Sequence, residues 1–153
     1  MMAAERLKKI IGAEGINAEQ IIFEAPVRTV DESAKALHAK YDDFVKSIVF
    51  YRDEMIIVAI VLGADRVDRA KVSAAMGITG LKLASPEETL EKTGYPAGGV
   101  PPFGFEAVFL IDSRVMQKDF VYSGGGSHNA LLKISPNEII RASKGRVADI
   151  AKG

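Results

Sequence analysis

The sequence predicts an α+β fold, with a mixed, mainly antiparallel sheet and helices at its periphery. Two observations lead there. Lys46 to Tyr51 and Met55 to Leu62 are β-rich runs separated only by the polar Arg52-Asp53-Glu54, a hairpin signal. Strands also fail to alternate strictly with helices, as a doubly wound parallel sheet would require. With 153 residues, no internal repeat, no low-complexity tract and no linker, residues 1–153 read as a single domain.

The elements follow in order. Ala3 to Ile11 forms an amphipathic helix with Leu7, Ile10 and Ile11 on one side, ended by Gly12 to Gly15. Gln20 to Phe23 is a strand, and Pro26 closes the extended segment after it. Thr29 and Glu32 make a capping box that opens a helix through about Ala39. After the hairpin, Asp65 caps a helix that runs to Met76 and stops at Gly77. Leu81 to Ala84 is a short strand. Ser85-Pro86-Glu87-Glu88 opens a helix ending near Thr93: a cap, proline at the first helical position, and glutamate three residues after the cap. Ala107 to Ile111, Phe120 to Tyr122 and Leu131 to Ile134 are three further strands. Ser135-Pro136-Asn137-Glu138 repeats the cap and opens a helix toward Ile140 or Ala142.

Composition narrows the chemistry. The chain is 48% hydrophobic and 26% charged, the balance of a soluble globular protein, and its longest apolar run, Met55 to Leu62, is strand-sized. Met1 to Ile11 lacks the apolar stretch of a secretory signal, so a cytoplasmic location without membrane contact is expected. The absence of cysteine excludes disulfides, thiolate metal sites and a cysteine nucleophile. Only His38 and His128 are available as histidines, which excludes a histidine-rich zinc site. Asp42-Asp43 has no evident third ligand and reads as a solvated turn; no metal and no cofactor are expected. The formal net charge is zero, whereas a protein gripping a long nucleic acid carries a basic excess. Any nucleic acid must be held locally, weakly, or with a partner's help.

Two glycine-rich patches carry the chemical signal. Gly94-Tyr95-Pro96-Ala97-Gly98-Gly99-Val100-Pro101-Pro102-Phe103-Gly104 holds four glycines and three prolines, which makes a bare but stiff loop. Gly124-Gly125-Gly126 follows the strand-like Phe120 to Tyr122. Each alone reads as a tight turn; together they point to a shared pocket. Neither is a P-loop, since no Gly-Lys-Ser/Thr follows, and the triplet lacks the spacing of the dinucleotide fingerprint. Lys46 heads the strand Lys46-Ser47-Ile48-Val49-Phe50. It is either a solvated edge residue or a point charge at a pocket mouth, suited to a phosphate or a carbonyl oxygen. His128, two residues past the triplet, is either a surface residue or a polar pocket wall.

This arrangement, a lysine heading a strand, then the glycine-proline loop, the triplet and Leu131 to Glu138, resembles the YbaK/ProX family of aminoacyl-tRNA editing domains. That family is related to the editing insertion of bacterial-type prolyl-tRNA synthetases. The resemblance runs from about Ala18 to the end of the chain. It implies a compact, barrel-like mixed sheet and a trans-editing deacylase that hydrolyses mischarged tRNA, with Ala or Cys on tRNA(Pro) as the expected substrates. Activity is then expected to depend on Lys46, with Gly98, Gly99, Val100, Pro101, Gly104, Gly124, Gly125, Gly126 and His128 as substrate-binding residues. The implied partners are the tRNA acceptor end and either prolyl-tRNA synthetase or an elongation factor.

An activated ester needs a placed nucleophile and oxyanion stabilisation more than a strong base. Gly98, Gly99 and Gly125 are the first amides to consider, because the prolines offer no N–H. No general base other than His128 is evident, and the resemblance implies assistance by the vicinal ribose hydroxyl. Phe103 stands where leucine is frequent in relatives, which bears on pocket packing; His128 and Asn129 leave the specificity subgroup open. Two alternatives remain: a non-catalytic module binding an aminoacyl-nucleotide or a protein, and a hydrolase for another activated ester.

Overall fold

The computed structural model describes residues 2–24 and 30–153. Pro26 and Thr29, assigned above to a strand exit and a helix cap, lie outside the described residues. In chain order the elements are α1 (Ala3–Glu14), β1 (Ala18–Ile22), α2 (Val30–Leu37), β2 (Val45–Arg52), β3 (Met55–Leu62), α3 (Arg69–Met76), β4 (Lys82–Leu83), α4 (Pro86–Thr93), β5 (Val108–Asp112), β6 (Val121–Gly124), β7 (Ala130–Ile134), α5 (Pro136–Ser143) and β8 (Arg146–Ala148). Short 3-10 turns lie at Tyr41–Asp43 and Val115–Gln117.

The predicted hairpin is present, with Val45 opposite Leu62 and Arg52 opposite Met55 around a tight turn at Asp53, whose φ is 52°. It is the centre of a five-stranded sheet in the order β4-β2-β3-β5-β8. The β2–β3 and β2–β4 pairs are antiparallel, whereas β3–β5 and β5–β8 are parallel. A second sheet, β1-β7-β6, is wholly antiparallel. The sheets meet where Phe44 bridges Tyr122, their rings 5.1 Å apart, giving a barrel-like wall that does not close.

Strand β3 explains its own composition. Val58 and Ile60 face the main core with Val49, Phe103 and Leu132, while Ile57, Ala59 and Val61 face a second core with Phe50, Val72 and Leu110. A strand buried on both sides must be apolar at every position, which is why Met55 to Leu62 reads as an unbroken run. Replacing Ile60 by Ala would cost about 2–5 kcal/mol. By the same alternation, Ser47 lies on the main-core face of β2 and Lys46 on the opposite one.

The helix caps form largely as the sequence indicates. Ser85 Oγ accepts the Glu88 N–H at 3.1 Å, and Glu88 returns a carboxylate oxygen to the Ser85 N–H at 3.0 Å. Gly15 and Gly77 end α1 and α3 in the left-handed conformation. Helix α1 continues through Gly12 to Glu14, one turn past its expected end. The cap of α3 differs from expectation: Asp68, not Asp65, accepts the Ala70 and Lys71 N–H groups. The reason is tertiary. Asp68 donates its N–H to Ile150 and Val67 bridges Ala151, so the chain is held extended up to Asp68. Strand β8 escaped the sequence reading, because Arg146-Val147-Ala148 is too short to show a period. The buried Asp112 carboxylate secures the segment after it by accepting the Ile150 and Ala151 N–H groups at 2.9 and 3.1 Å.

Candidate functional site

A cavity of about 340 Å³ opens where β2 and β6 approach, beside the glycine-proline loop. Strand β2 contributes Lys46, Ser47 and Ile48; the loop contributes Gly98 and Val100; Gly124 closes one wall. The remaining wall includes Ser33 of α2, Tyr41 and Phe44 before β2, and Tyr122 and Ser123 of β6.

Lys46 is half-buried at the head of its strand, and its ammonium donates to the Asp65 backbone carbonyl at 2.6 Å. Burial holds its pKa below the ordinary lysine value; the Asp65 carboxylate opposes that shift and the Arg66 guanidinium adds to it. Next to it, the Ser47 hydroxyl is buried without a hydrogen-bond partner among the described residues. A buried hydroxyl without a partner costs roughly 1–3 kcal/mol, so it is a group ready to accept one from a ligand.

The two glycine-rich patches do come together, main chain against main chain. The Gly126 N–H donates to the Gly99 carbonyl at 2.8 Å. A β-carbon on Gly124 would collide with the Val100 carbonyl oxygen, and one on Gly125 with the main chain of Ala130 and Leu131. These glycines permit backbone packing that no side chain allows. The N–H groups of Gly99 and Gly125 are already engaged, by Pro96 and Ala130 carbonyls at 2.8 and 3.2 Å. Of the three amides singled out from sequence, only that of Gly98 has no backbone partner among the described residues.

The remaining sequence-selected residues sit around the cavity without lining it. Gly104 packs against Ile10 and Leu7 of α1, and Gly126 against Ala4. Pro101 is buried and does not line the cavity. His128 lies outside, with Nε2 3.3 Å from the Ala97 carbonyl oxygen, tying the two loops together. Asn129 donates to the Phe23 carbonyl at 3.1 Å. Phe103 is fully buried in the main core that also holds Leu7 and Tyr95, and it does not line the cavity. Sequence reasoning passed over Ser47, Tyr122 and Ser123, although they adjoin Lys46 and the triplet. The alternation of β2 and β6 was the available signal.

No carboxylate, histidine or cysteine stands among the described residues that line the cavity. Its own side chains offer a cation, hydroxyls and apolar surface. Such a set binds, orients and polarises, and leaves proton abstraction to another group.

The aminoacyl-tRNA editing domain family model matches residues 24–142. The chain is 28% identical over 134 residues to the uncharacterized protein YwhH of Bacillus subtilis (strain 168), covering 85% of each. It is 31% identical over 105 residues to the proline–tRNA ligase of Thermosipho africanus (strain TCF52B), covering 67% of this chain but only 19% of the ligase. Among solved structures, a candidate trans-editing enzyme for prolyl-tRNA synthetase superposes with a TM-score of 0.90 at 30% identity, covering 99% of this chain and 98% of that one.

Proposed function

The chain belongs to the aminoacyl-tRNA editing domain family, and from that premise we propose that it is a trans-editing deacylase. Its substrate in this reading is the ester of a mischarged tRNA, with alanine or cysteine on tRNA(Pro) foremost. The observation that carries the proposal is Lys46: a half-buried ammonium held by a main-chain carbonyl at the mouth of a cavity about 340 Å³ in volume. That volume sits at the small end of ligand sites, suiting a small aminoacyl group with part of its ribose.

In this reading Lys46 anchors the terminal phosphate or the carbonyl side of the ester. The free Gly98 N–H is the amide available to polarise the carbonyl as negative charge develops on its oxygen. No carboxylate or histidine stands among the described lining residues, and in this reading, as the family resemblance implies, the vicinal ribose hydroxyl of the substrate activates water. Discrimination by size alone yields roughly 1–3 kcal/mol per methylene, enough to separate alanine from bulkier residues by one or two orders of magnitude. The protein works in the cytoplasm, with prolyl-tRNA synthetase or an elongation factor delivering the substrate. No helix among the described residues is long and apolar enough to cross a membrane.

The test is deacylation of tRNA(Pro) charged in turn with Ala, Cys, Ser and Pro, by the wild type and Lys46→Ala. Hydrolysis of one small amino acid, reduced about a hundredfold or more in the variant, is expected. Hydrolysis of none, even with prolyl-tRNA synthetase added, would overturn the proposal in favour of a binding module.

A further inference from the structure

On its other side Lys46 borders a separate groove of about 450 Å³, lined also by Arg66, Arg69 and Lys152 over a floor that includes Phe50 and Leu83. Among the described residues four cations line it and no carboxylate does. The backbone builds this cluster. Lys152 donates its N–H to the Arg66 carbonyl at 2.8 Å, and Val67 bridges Ala151, which brings Arg66 and Lys152 together from distant parts of the chain. Arg69 opens α3 with its guanidinium 5.9 Å from the Phe50 ring centroid.

The nearby carboxylates are engaged elsewhere. Asp65 pairs with Arg114 at 3.1 Å, Asp68 caps α3, and Asp149 pairs with Lys71 at 3.1 Å. Arg66, Arg69 and Lys152 are exposed, and among the described residues none of them forms an ion pair. A chain of zero net charge thus concentrates uncompensated positive charge in one concave place. Like charges so arranged repel, and a polyanion relieves that repulsion.

We propose that this groove binds the phosphodiester backbone of the 3′-terminal single strand of an RNA. The inference rests on the deacylase reading, which puts the aminoacylated end in the neighbouring cavity. Lys46 lines both spaces, so a strand ending in the cavity that leaves it past Lys46 enters the groove lined by Arg66, Arg69 and Lys152. Phe50, the only aromatic among the described residues that line the groove, is 2% exposed and offers no face for stacking. Recognition is therefore through phosphates and is tolerant of sequence. It also resolves the conflict between neutral net charge and RNA binding: the charge is local.

The probe is a fluorescent RNA hairpin ending in a single-stranded CCA, titrated by anisotropy against the wild type and the double variant Arg69→Gln/Lys152→Gln. At low salt the double variant is expected to bind about tenfold more weakly. The slope of log affinity against log salt should become shallower by about 1.4, because each single-strand phosphate contact contributes about 0.7. Equal affinities and slopes for the two proteins overturn the proposal, as does wild-type affinity that does not depend on salt. Preference of the wild type for anionic lipid vesicles over the hairpin also overturns it. Hydrolysis of alanyl-tRNA(Pro), with prolyl-tRNA synthetase added, is measured with the wild type in parallel. Its failure counts against the deacylase reading and leaves the groove to be judged by the hairpin.

Discussion

The Lys46 ammonium donates to the Asp65 main-chain carbonyl at 2.6 Å, while one oxygen of the Asp65 carboxylate lies 3.1 Å from Arg114. Lysine and aspartate are thus coupled through the backbone rather than as a direct ion pair. The loop after β3 positions the ammonium, and its charge remains available to a ligand. A direct carboxylate partner would have neutralised that charge and raised the lysine pKa; here burial prevails and the pKa is lowered.

This coupling predicts a pH dependence. Lys46 is protonated below its lowered pKa, so affinity for an anionic substrate is fully present there and is lost as pH rises through it. The alkaline rise in KM should therefore begin below the ordinary lysine value of 10.5. Lys46→Arg keeps its charge throughout and should abolish that inflection. An inflection persisting in Lys46→Arg would assign it to another group.

Much of this site was legible in the sequence because its markers are local. Lys46 heads a strand, and the glycine patches break every regular pattern. What the sequence concealed depends on contacts far apart in the chain. Asp68 rather than Asp65 caps α3 because residues 150–152 hold residues 66–68 extended, and no local pattern announces that pairing. The glycines look alike in sequence, yet Gly98 lines the cavity while Gly104 and Gly126 face α1. Ser47 was visible only as a neighbour of Lys46; its lack of a partner among the described residues is a property of the packed core.

Glu138 should contribute to the acid limb of stability. It pairs with Arg141 and accepts the Asn17 N–H at 2.6 Å, joining α5 to the segment before β1. These contacts, the Arg141 hydrogen bond foremost, lower its pKa from 4.5 to about 2. A carboxylate with a depressed folded pKa stabilises the fold above its unfolded value, and that stability is lost as pH falls from 4.5 toward 2. Glu138→Gln should lose about 1–2 kcal/mol at neutral pH and flatten this limb. Urea unfolding at several pH values checks both.

Two glycines should respond oppositely to alanine. Gly124 faces the Val100 main chain with no room for a β-carbon, so Gly124→Ala should destabilise by about 1–3 kcal/mol and distort the cavity wall. Gly12 lies within α1 with nothing within 4 Å of the added carbon, so Gly12→Ala should stabilise by about 0.5–1 kcal/mol. Thermal melts of both variants, with deacylation at saturating substrate, separate packing from catalysis. A stable, fully active Gly124→Ala would show that the two glycine patches can separate without consequence.

Ser47 joins stability to specificity. Its buried hydroxyl has no partner among the described residues, so Ser47→Ala removes an unsatisfied group at the loss of little volume. The variant should gain up to about 1 kcal/mol in unfolding free energy. If the hydroxyl contacts the bound aminoacyl group, the same change should raise KM about tenfold, since one hydrogen bond is then missing only in the complex. The two effects have opposite signs and are read independently, by urea unfolding and by steady-state deacylation. Greater stability with unchanged KM would make Ser47 a relic of packing rather than a determinant of the substrate. Loss of stability would mean that the hydroxyl has a partner in the free protein, an ordered water being the simplest, and KM alone would then decide the specificity role.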